Sequence, residues 1–276
     1  MKNNNEKILP DDFRFKKKFG QNFLKDTNLL RAIAADAEVG EGDNVLEIGA
    51  GAGALTTELS RAAGELGKVL SIEIDNTLRD FLTQKFAGTN VEFIFGDILK
   101  IPTEQIAEKF GGKPFKVVAN LPYYISSPII FYLIESGLNI ESITVMLQKE
   151  LVDRITASAG GKDYGAITVI LGLYGTVKKC RDVPRQLFTP MPNVDSAILS
   201  IVFQPTDLPI REISRVVKAS FAMRRKTLAN NLMDAFSLSR EEVNSILTDC
   251  GLPLDIRAEK LETEQFVLLS EKLKNK

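Results

Sequence analysis

The sequence predicts an α/β fold: a mostly parallel sheet with helices on both faces, followed by a smaller helical domain. Three observations carry this reading. Short β-rich runs alternate with helical patterns through the first half of the chain, an order that yields parallel strands joined by crossover helices. Runs such as "KVVA" are near-continuous apolar blocks, as a strand covered on both faces requires. Beyond "QPTDLP", Gln204 to Pro209, the pattern becomes helix only. At 276 residues the chain suits two unequal domains. The expected division is 1–204, with 1–25 as a cap segment, and 205–276.

Taken in order, "NVLEIG", "KVLSIEID", "VEFIFGD", "FKVVANLPYY" and "SITVMLQKE" read as strands, with "TVKKCRDVP" and "SAILSIVFQ" completing the sheet. "ALTTELSRAAGEL" and "TLRDFLTQKFAG" suit crossover helices, and one helical stretch is expected around Val152 to Ile170. In "NLPYYISSP", Pro122 and Pro128 argue against a continuous helix, so Asn120 to Pro128 is expected to be a rigid loop. Past the linker, Ile213, Val217, Phe221, Leu228 and Leu232 recur at intervals compatible with one helical face. "SLSREEVNSILTDCGL" opens with serine and an acidic first turn and stops at glycine, the signature of a capped helix.

Composition excludes several kinds of chemistry. With 35 basic and 36 acidic residues, nucleic-acid binding cannot rest on overall charge and must use local patches. The N-terminal "MKNNNEKILPDDF" has no apolar core of a signal peptide, and no run approaches the roughly 18 apolar residues of a membrane span. A soluble, intracellular, cytoplasmic protein with no membrane contact is expected. Cys180 and Cys250 lack C-x-x-C companions, so neither a zinc site nor a disulfide framework is readable and no metal is expected. There is no histidine at all. This removes Ser-His-Asp and Cys-His schemes, histidine metal sites and the commonest general base.

After the strand "NVLEI" comes "GAGAGAL", with glycines at 49, 51 and 53. Glycine lets a backbone lie close against a ligand, and the following helix points its positive end at anionic groups. The loop also fits the dinucleotide fingerprint with Ala54 in its last position, and Glu73 or Asp75 lies near the ribose-reading distance, so an NAD oxidoreductase competes. Glu47, two residues before Gly49, would repel a pyrophosphate and favours a cofactor carrying a cation. Glu73, closing the second strand, can accept both hydroxyls of a ribose. Asp97, closing the third, can accept an adenine amino hydrogen. Each acid has a plainer reading as a helix N-cap or a solvated strand end. Together they line the rim of the sheet where ligands bind in such folds.

The loop at Asn120 opens on the same rim. An adenine N6 amine is a poor nucleophile because its lone pair is delocalised into the ring. Acceptors at the Asn120 side-chain oxygen and the Leu121 carbonyl would hold its N–H bonds and localise that lone pair toward an incoming methyl. Pro122 stiffens the turn, and Tyr123 or Tyr124 can stack on a base withdrawn from its helix. No imidazole is needed.

Together "FGQNFL", "LEIGAGAGALT", "IEID", "GDIL", "NLPYYISSP", "FTPMPNVDSAI" and "FAMRRKTLANNL" resemble the small-subunit (16S-type) ribosomal RNA adenine N6,N6-dimethyltransferase family over essentially the whole chain. The resemblance implies a Rossmann-like class I S-adenosylmethionine-dependent methyltransferase fold. It also implies dimethylation of two adjacent adenines near the 3′ end of small-subunit rRNA in an assembling subunit; separately, a monomer is expected. Cofactor contacts are then expected from Asn22, Leu24, Gly49, Gly51, Glu73, Asp97 and Asn120, and catalysis from Asn120, Leu121, Pro122 and Tyr123. Where the family often has "GPGxG", this chain has "GAGAG".

Candidate RNA contacts are Lys16, Lys17 and Lys18, the run "KKCR", and Arg224, Arg225 and Lys226. The plainer reading of each run is a solvated face. Arg215, Lys218, Arg225 and Lys226 fall at helical spacing as a basic stripe. "FTPMPNVDS", Phe188 to Ser196, is expected to wall the target-base pocket. Two further readings stay open: a large-subunit rRNA adenine N6-methyltransferase of the macrolide-resistance type, which shares "NLPY" and the glycine loop, and a non-catalytic RNA-binding assembly factor on the same fold.

Overall fold

The computed structural model describes residues 23, 24 and 26–274. Asn22 and Lys16 to Lys18 lie outside the described residues. The elements run β1 (Phe23–Leu24), α1 (Thr27–Asp36), β2 (Asn44–Ile48), α2 (Ala54–Ala63), β3 (Lys68–Glu73), α3 (Arg79–Lys85), β4 (Val91–Phe95), α4 (Thr103–Lys109), β5 (Phe115–Asn120), α5 (Ser126–Glu135) and β6 (Ile140–Gln148). They continue with α6 (Lys149–Ile155), α7 (Ala166–Tyr174), β7 (Gly175–Val183), β8 (Phe188–Thr189), β9 (Ser196–Phe203), α8 (Ile210–Ser220), α9 (Leu228–Phe236), α10 (Arg240–Asp249) and α11 (Thr263–Leu273).

Seven strands form one sheet in the order β4-β3-β2-β5-β6-β9-β7, and β1 pairs antiparallel with β8. From β4 to β6 every neighbouring pair is parallel. Their C-terminal ends, Phe95, Glu73, Ile48, Asn120 and Gln148, therefore share one edge of the sheet. Val45, Leu46, Val69, Leu70, Val117 and Val118 are fully buried. Successive side chains point to opposite faces, so burial of adjacent residues means both faces are covered, as the apolar blocks predicted.

By packing, the described chain forms two compact units, one up to Lys149 together with Lys179–Ile201, the other Glu150–Lys178 together with the chain from Val202 on. The division falls inside strands β7 and β9 rather than at the Gln204–Pro209 linker, and 150–178 packs with the C-terminal helices. In this second unit Phe221 stacks on Phe266, with ring centroids 5.7 Å apart, and meets Tyr164 edge-on at 6.0 Å. Tyr164 also donates its hydroxyl to the Leu261 carbonyl (2.9 Å).

Three local expectations need correction. The stretch Val152–Ile170 is two helices, α6 and α7, separated at Gly160, whose φ of 81° lies in the left-handed region that helices do not use. The face from Ile213 to Leu232 is likewise shared by α8 and α9, with Phe221 capping the first. Pro128 does not extend the loop; it is the third residue of α5, in the first turn, where a helix has no use for its missing N–H. The helix α10 starts as expected. Ser239 accepts from the Glu242 N–H (3.2 Å) and the Glu242 carboxylate accepts from the Ser239 N–H (2.9 Å), closing a capping box.

Candidate active site at the strand ends

The glycine loop leaves the sheet one residue beyond β2. Gly49 still donates to the Ile72 carbonyl (2.8 Å), prolonging the ladder, and then turns with φ 87°. Gly51, at φ 53°, is the point of closest approach: a Cβ there would stand 2.5 Å from the Phe23 ring. Its N–H is held by the Glu73 carboxylate at 2.7 Å. Helix α2 begins directly behind the loop, which leaves its N-terminal N–H groups facing the strand edge.

The acids differ in what they do. Glu47 is fully buried beneath the loop, with one carboxylate oxygen accepting from Thr56 Oγ1 and Ser71 Oγ, both at 2.6 Å. Its other oxygen, Oε1, is buried without a hydrogen-bond partner. Burial pushes its pKa up to about 7, offset in part by those two hydroxyls and raised further by the Glu73 charge. Near neutral pH it is thus not the full negative charge the sequence suggested, and it repels a pyrophosphate less than its place before Gly49 implied. Glu73 is 4 % exposed, and its two oxygens accept from Gly51 and from Asp75, each at 2.7 Å. Burial raises its pKa. Each carboxylate oxygen keeps a second lone pair, so the group can bind a ligand hydroxyl without releasing the loop. Asp97 caps the short 3-10 turn Ile98–Lys100 by accepting from the Leu99 N–H (3.1 Å), and lies at the end of β4, one strand further out.

At the end of β5, Leu121 is buried and donates to the Met146 carbonyl (3.3 Å), so the pairing with β6 continues one residue past the strand. Ile125 closes the following turn onto the Pro122 carbonyl (3.2 Å). Asn120, Pro122 and Tyr123 are half-buried, whereas Tyr124 is 61 % exposed.

One cleft brings these pieces together. It is lined by Gly49 to Ala52, Glu73, Asn120, Leu121, Pro122 and Tyr123, with Phe23 and Leu24 on its far wall. Of the residues singled out in sequence, Asp97 does not line it. Phe23 was missed: its ring packs on Gly51, and β1 is held in place by pairing with Phe188 and Thr189 of the proline-rich segment. Ile74, immediately after Glu73, was also missed; it lines the cleft and is 38 % exposed. Glu73, the loop and Asn120 end three adjacent strands, so the cleft spans two strand spacings, roughly 10 Å.

Many of the basic side chains are already engaged. Arg181 makes a two-pronged pair with Asp36 (2.6 Å each), and Lys179 and Lys149 both reach Asp182 (2.6 and 2.9 Å). Arg224 donates to the Lys162 and Tyr164 carbonyls (2.6 and 3.4 Å), Lys226 pairs with Asp234 (2.9 Å), and Arg215 lies over the Phe236 ring. Arg225 is exposed.

The family model for ribosomal RNA adenine dimethylase matches residues 12–275. The chain belongs to the ribosomal RNA adenine dimethylase family. It is 44% identical, over 95% of its length and 93% of the relative's, to the ribosomal RNA small subunit methyltransferase A of Streptococcus pneumoniae (strain P1031). The protein of the same name from Lachnoclostridium phytofermentans is 43% identical, over 94% of this chain and 91% of that one. Among solved structures, a dimethyladenosine transferase from Plasmodium falciparum is similar with a TM-score of 0.72 and 27% identity, covering 90% of this chain and 95% of that one. The 23S rRNA methyltransferase ErmE is similar with a TM-score of 0.68 and 28% identity, covering 92% and 100%.

As a member of this family the chain is an S-adenosylmethionine-dependent enzyme that acts on rRNA adenine, and the oxidoreductase reading of the glycine loop falls away. The cleft fits that cofactor. Gly51, whose missing side chain lets the Phe23 ring close on the loop, and Glu73, whose oxygens are acceptors of the kind a ribose needs, both line it beside Asn120. Glu73→Ala is expected to weaken S-adenosylmethionine binding by about 1–3 kcal/mol, the size of a charge-assisted hydrogen bond. Asp97→Ala, at a residue that caps the next turn and does not line the cleft, is expected to weaken it less than Glu73→Ala, with RNA affinity nearly unchanged in both. Calorimetric titration checks it, and wild-type affinities in both variants would sink these assignments.

Proposed function

We propose that the chain dimethylates two adjacent adenines near the 3′ end of small-subunit rRNA in an assembling subunit, working as a cytoplasmic monomer. The observation that carries the chemical part is the cleft itself, where Asn120 to Tyr123 stand beside Glu73 and the glycine loop. The small-subunit target rests on relatives of that name at 42–44% identity. Among the described residues no helix is long and apolar enough to cross a membrane.

S-adenosylmethionine, when bound, supplies an electrophilic methyl on a cationic sulfur. The rest is done by this chain. The glycine loop and Glu73 bind and orient the cofactor end of the cleft. The Asn120 side-chain oxygen and the Leu121 carbonyl accept the two N6 hydrogens of the target adenine, turning the nitrogen lone pair out of conjugation and along the cleft. The same two acceptors stabilise the positive charge that N6 gains as the N–CH3 bond forms and the S–CH3 bond breaks; S-adenosylhomocysteine is the neutral leaving group, and loss of one N6 proton to solvent returns the amine to neutrality. Tyr123 stacks on the extruded base, and Pro122 keeps the turn from relaxing. Leu24 and, outside the described residues, Asn22 complete the cofactor contacts. No step calls for a histidine.

Placement of the rRNA falls to basic side chains that do not line the cleft, Arg225 and Lys226 with part of Arg224, and Lys16 to Lys18 outside the described residues. The Lys226–Asp234 pair is partly exposed and easily exchanged for a phosphate. Replacing Arg225 and Lys226 with glutamine is expected to flatten the plot of log affinity against log salt by about 0.7–0.9 for each phosphate no longer neutralised. Cofactor affinity stays unchanged. An unaltered slope with a lowered melting temperature would make these residues supports of packing.

Incubation with labelled S-adenosylmethionine and unmethylated small or large ribosomal subunits, separately, tests the proposal. Label is expected in the small-subunit RNA. Label confined to large-subunit RNA would favour the macrolide-resistance reading, and no label with intact RNA binding would favour a non-catalytic assembly factor.

A further inference from the structure

The Tyr123 side chain is tied at its far end. Its hydroxyl lies 2.6 Å from Ser196 Oγ, across 73 residues of sequence. Ser196 is fully buried at the start of β9, while the tyrosine it holds is half-buried and lines the cleft. The backbone that carries the ring is tied as well, because Ser126 Oγ donates to the Tyr123 carbonyl (3.1 Å). The chain that delivers Ser196 is pinned one residue earlier. The Asp195 carboxylate accepts from the Arg185 N–H (3.0 Å), and the Asp195 carbonyl accepts from the Lys149 N–H (3.0 Å). The Arg185 guanidinium in turn donates to the Asn193 carbonyl (2.9 Å). Burial, with the Asp195 charge nearby, pushes the Tyr123 phenol up, so it stays protonated and able to share a hydrogen with Ser196.

We infer that Ser196 is a positioning residue: by holding the Tyr123 hydroxyl it fixes the direction of the long axis of the ring on which the target adenine stacks, and so where that ring lies in the cleft. Stacking alone needs only an aromatic face, which phenylalanine supplies equally well. A ring held at both ends gives something more. It presents one orientation to the incoming base, and so keeps the N6 amine at the Asn120 and Leu121 acceptors rather than a few tenths of an ångström away. Tyr124, 61 % exposed, has no comparable place in the cleft. The proline-rich segment Phe188 to Ser196 therefore acts on the chemistry through one buried hydroxyl at its end, whether or not its other residues touch the base.

The inference rests on the stacking role proposed for Tyr123, and its test separates the two. Ser196→Ala and Tyr123→Phe each remove the tie and keep the ring. Each is expected to slow single-turnover methylation about tenfold, the worth of one neutral hydrogen bond. Cofactor and RNA affinities stay within about twofold, well below that loss. The double variant is expected to be no slower than Tyr123→Phe, because Ser196 acts only through the phenol, and Ser196→Thr, which keeps a hydroxyl, to recover most of the rate. Losses that add in the double variant, or wild-type rates in both single variants, overturn the inference. A fluorine resonance from 3-fluorotyrosine at position 123 reads the tie without any substrate. Its chemical shift is expected to move in Ser196→Ala, because the hydroxyl loses its partner and the far end of the ring is no longer held; an unchanged spectrum overturns the inference even if the enzyme is active. If the ring is freed but the unchanged protein methylates no rRNA adenine, the tie stands and the functional proposal fails.

Discussion

Asn120→Ala is expected to lower the single-turnover rate of methyl transfer by about 10²-fold, the loss that follows from an ångström of misplacement at a reacting centre. The measurement is made at saturating S-adenosylmethionine, so that any weakened cofactor contact is masked and only the chemical step is read. rRNA affinity should be nearly unchanged, because Asn120 stands at the end of β5 inside the cleft and not on a basic surface. Alanine removes one of the two acceptors that orient the amine, and the Leu121 carbonyl alone leaves the C6–N6 bond free to return to conjugation. Tyr123→Ala should reduce the rate as well, by the about 1–3 kcal/mol typical of base–aromatic stacking. Near wild-type rates in both variants would refute the clamp.

Glu47→Gln is expected to make the protein more stable than the parent as pH rises above about 4.5, with the full gain reached near pH 7. The carboxyl is fully buried with Oε1 unpartnered, and burial raises its pKa from 4.5 to about 7. Between these values the folded chain keeps a proton that the unfolded chain gives up. Stability therefore falls as pH rises from about 4.5 to about 7, and is flat for this group outside that window. The loss amounts to about 3 kcal/mol. Glutamine is neutral throughout, still accepts from Thr56 and Ser71, and puts its amide nitrogen where Oε1 stood. Urea denaturation at about pH 4 and about pH 8 checks it: the variant should match the parent at the lower pH and exceed it by up to about 3 kcal/mol at the higher. Parallel stability curves for the two proteins would mean that Glu47 titrates alike folded and unfolded.

The parallel sheet was legible because burial on both faces leaves an apolar block that survives as a sequence pattern, as in "KVVA" and "NVLEI". The glycine loop was legible because left-handed turns and close approach select glycine, and the cleft joins it to Glu73 and Asn120 as the strand ends implied. What was not legible depends on partners distant in sequence. No local pattern says that Phe23 will cover Gly51 or that Ser196 will meet Tyr123. Nor does one say that Thr56 and Ser71 will converge on Glu47, which turned a presumed ligand charge into a buried, half-protonated acid. Basic runs mislead for the same reason. "KKCR" reads as a patch until Asp36 and Asp182 are found beside it, and Arg224 turns its guanidinium to the Lys162 carbonyl. The break between α6 and α7 had a signal in Gly160 and Gly161, overridden by apolar patterns on either side.

The most direct test of the account is to methylate unmodified small subunits with the purified protein and map the rRNA nucleotide by nucleotide by mass spectrometry. The account predicts two methyl groups on N6 of each of two adjacent adenines near the 3′ end, with every such signal strongly reduced in Asn120→Ala. Methyl groups at any other position, or undiminished dimethylation by Asn120→Ala, would contradict it.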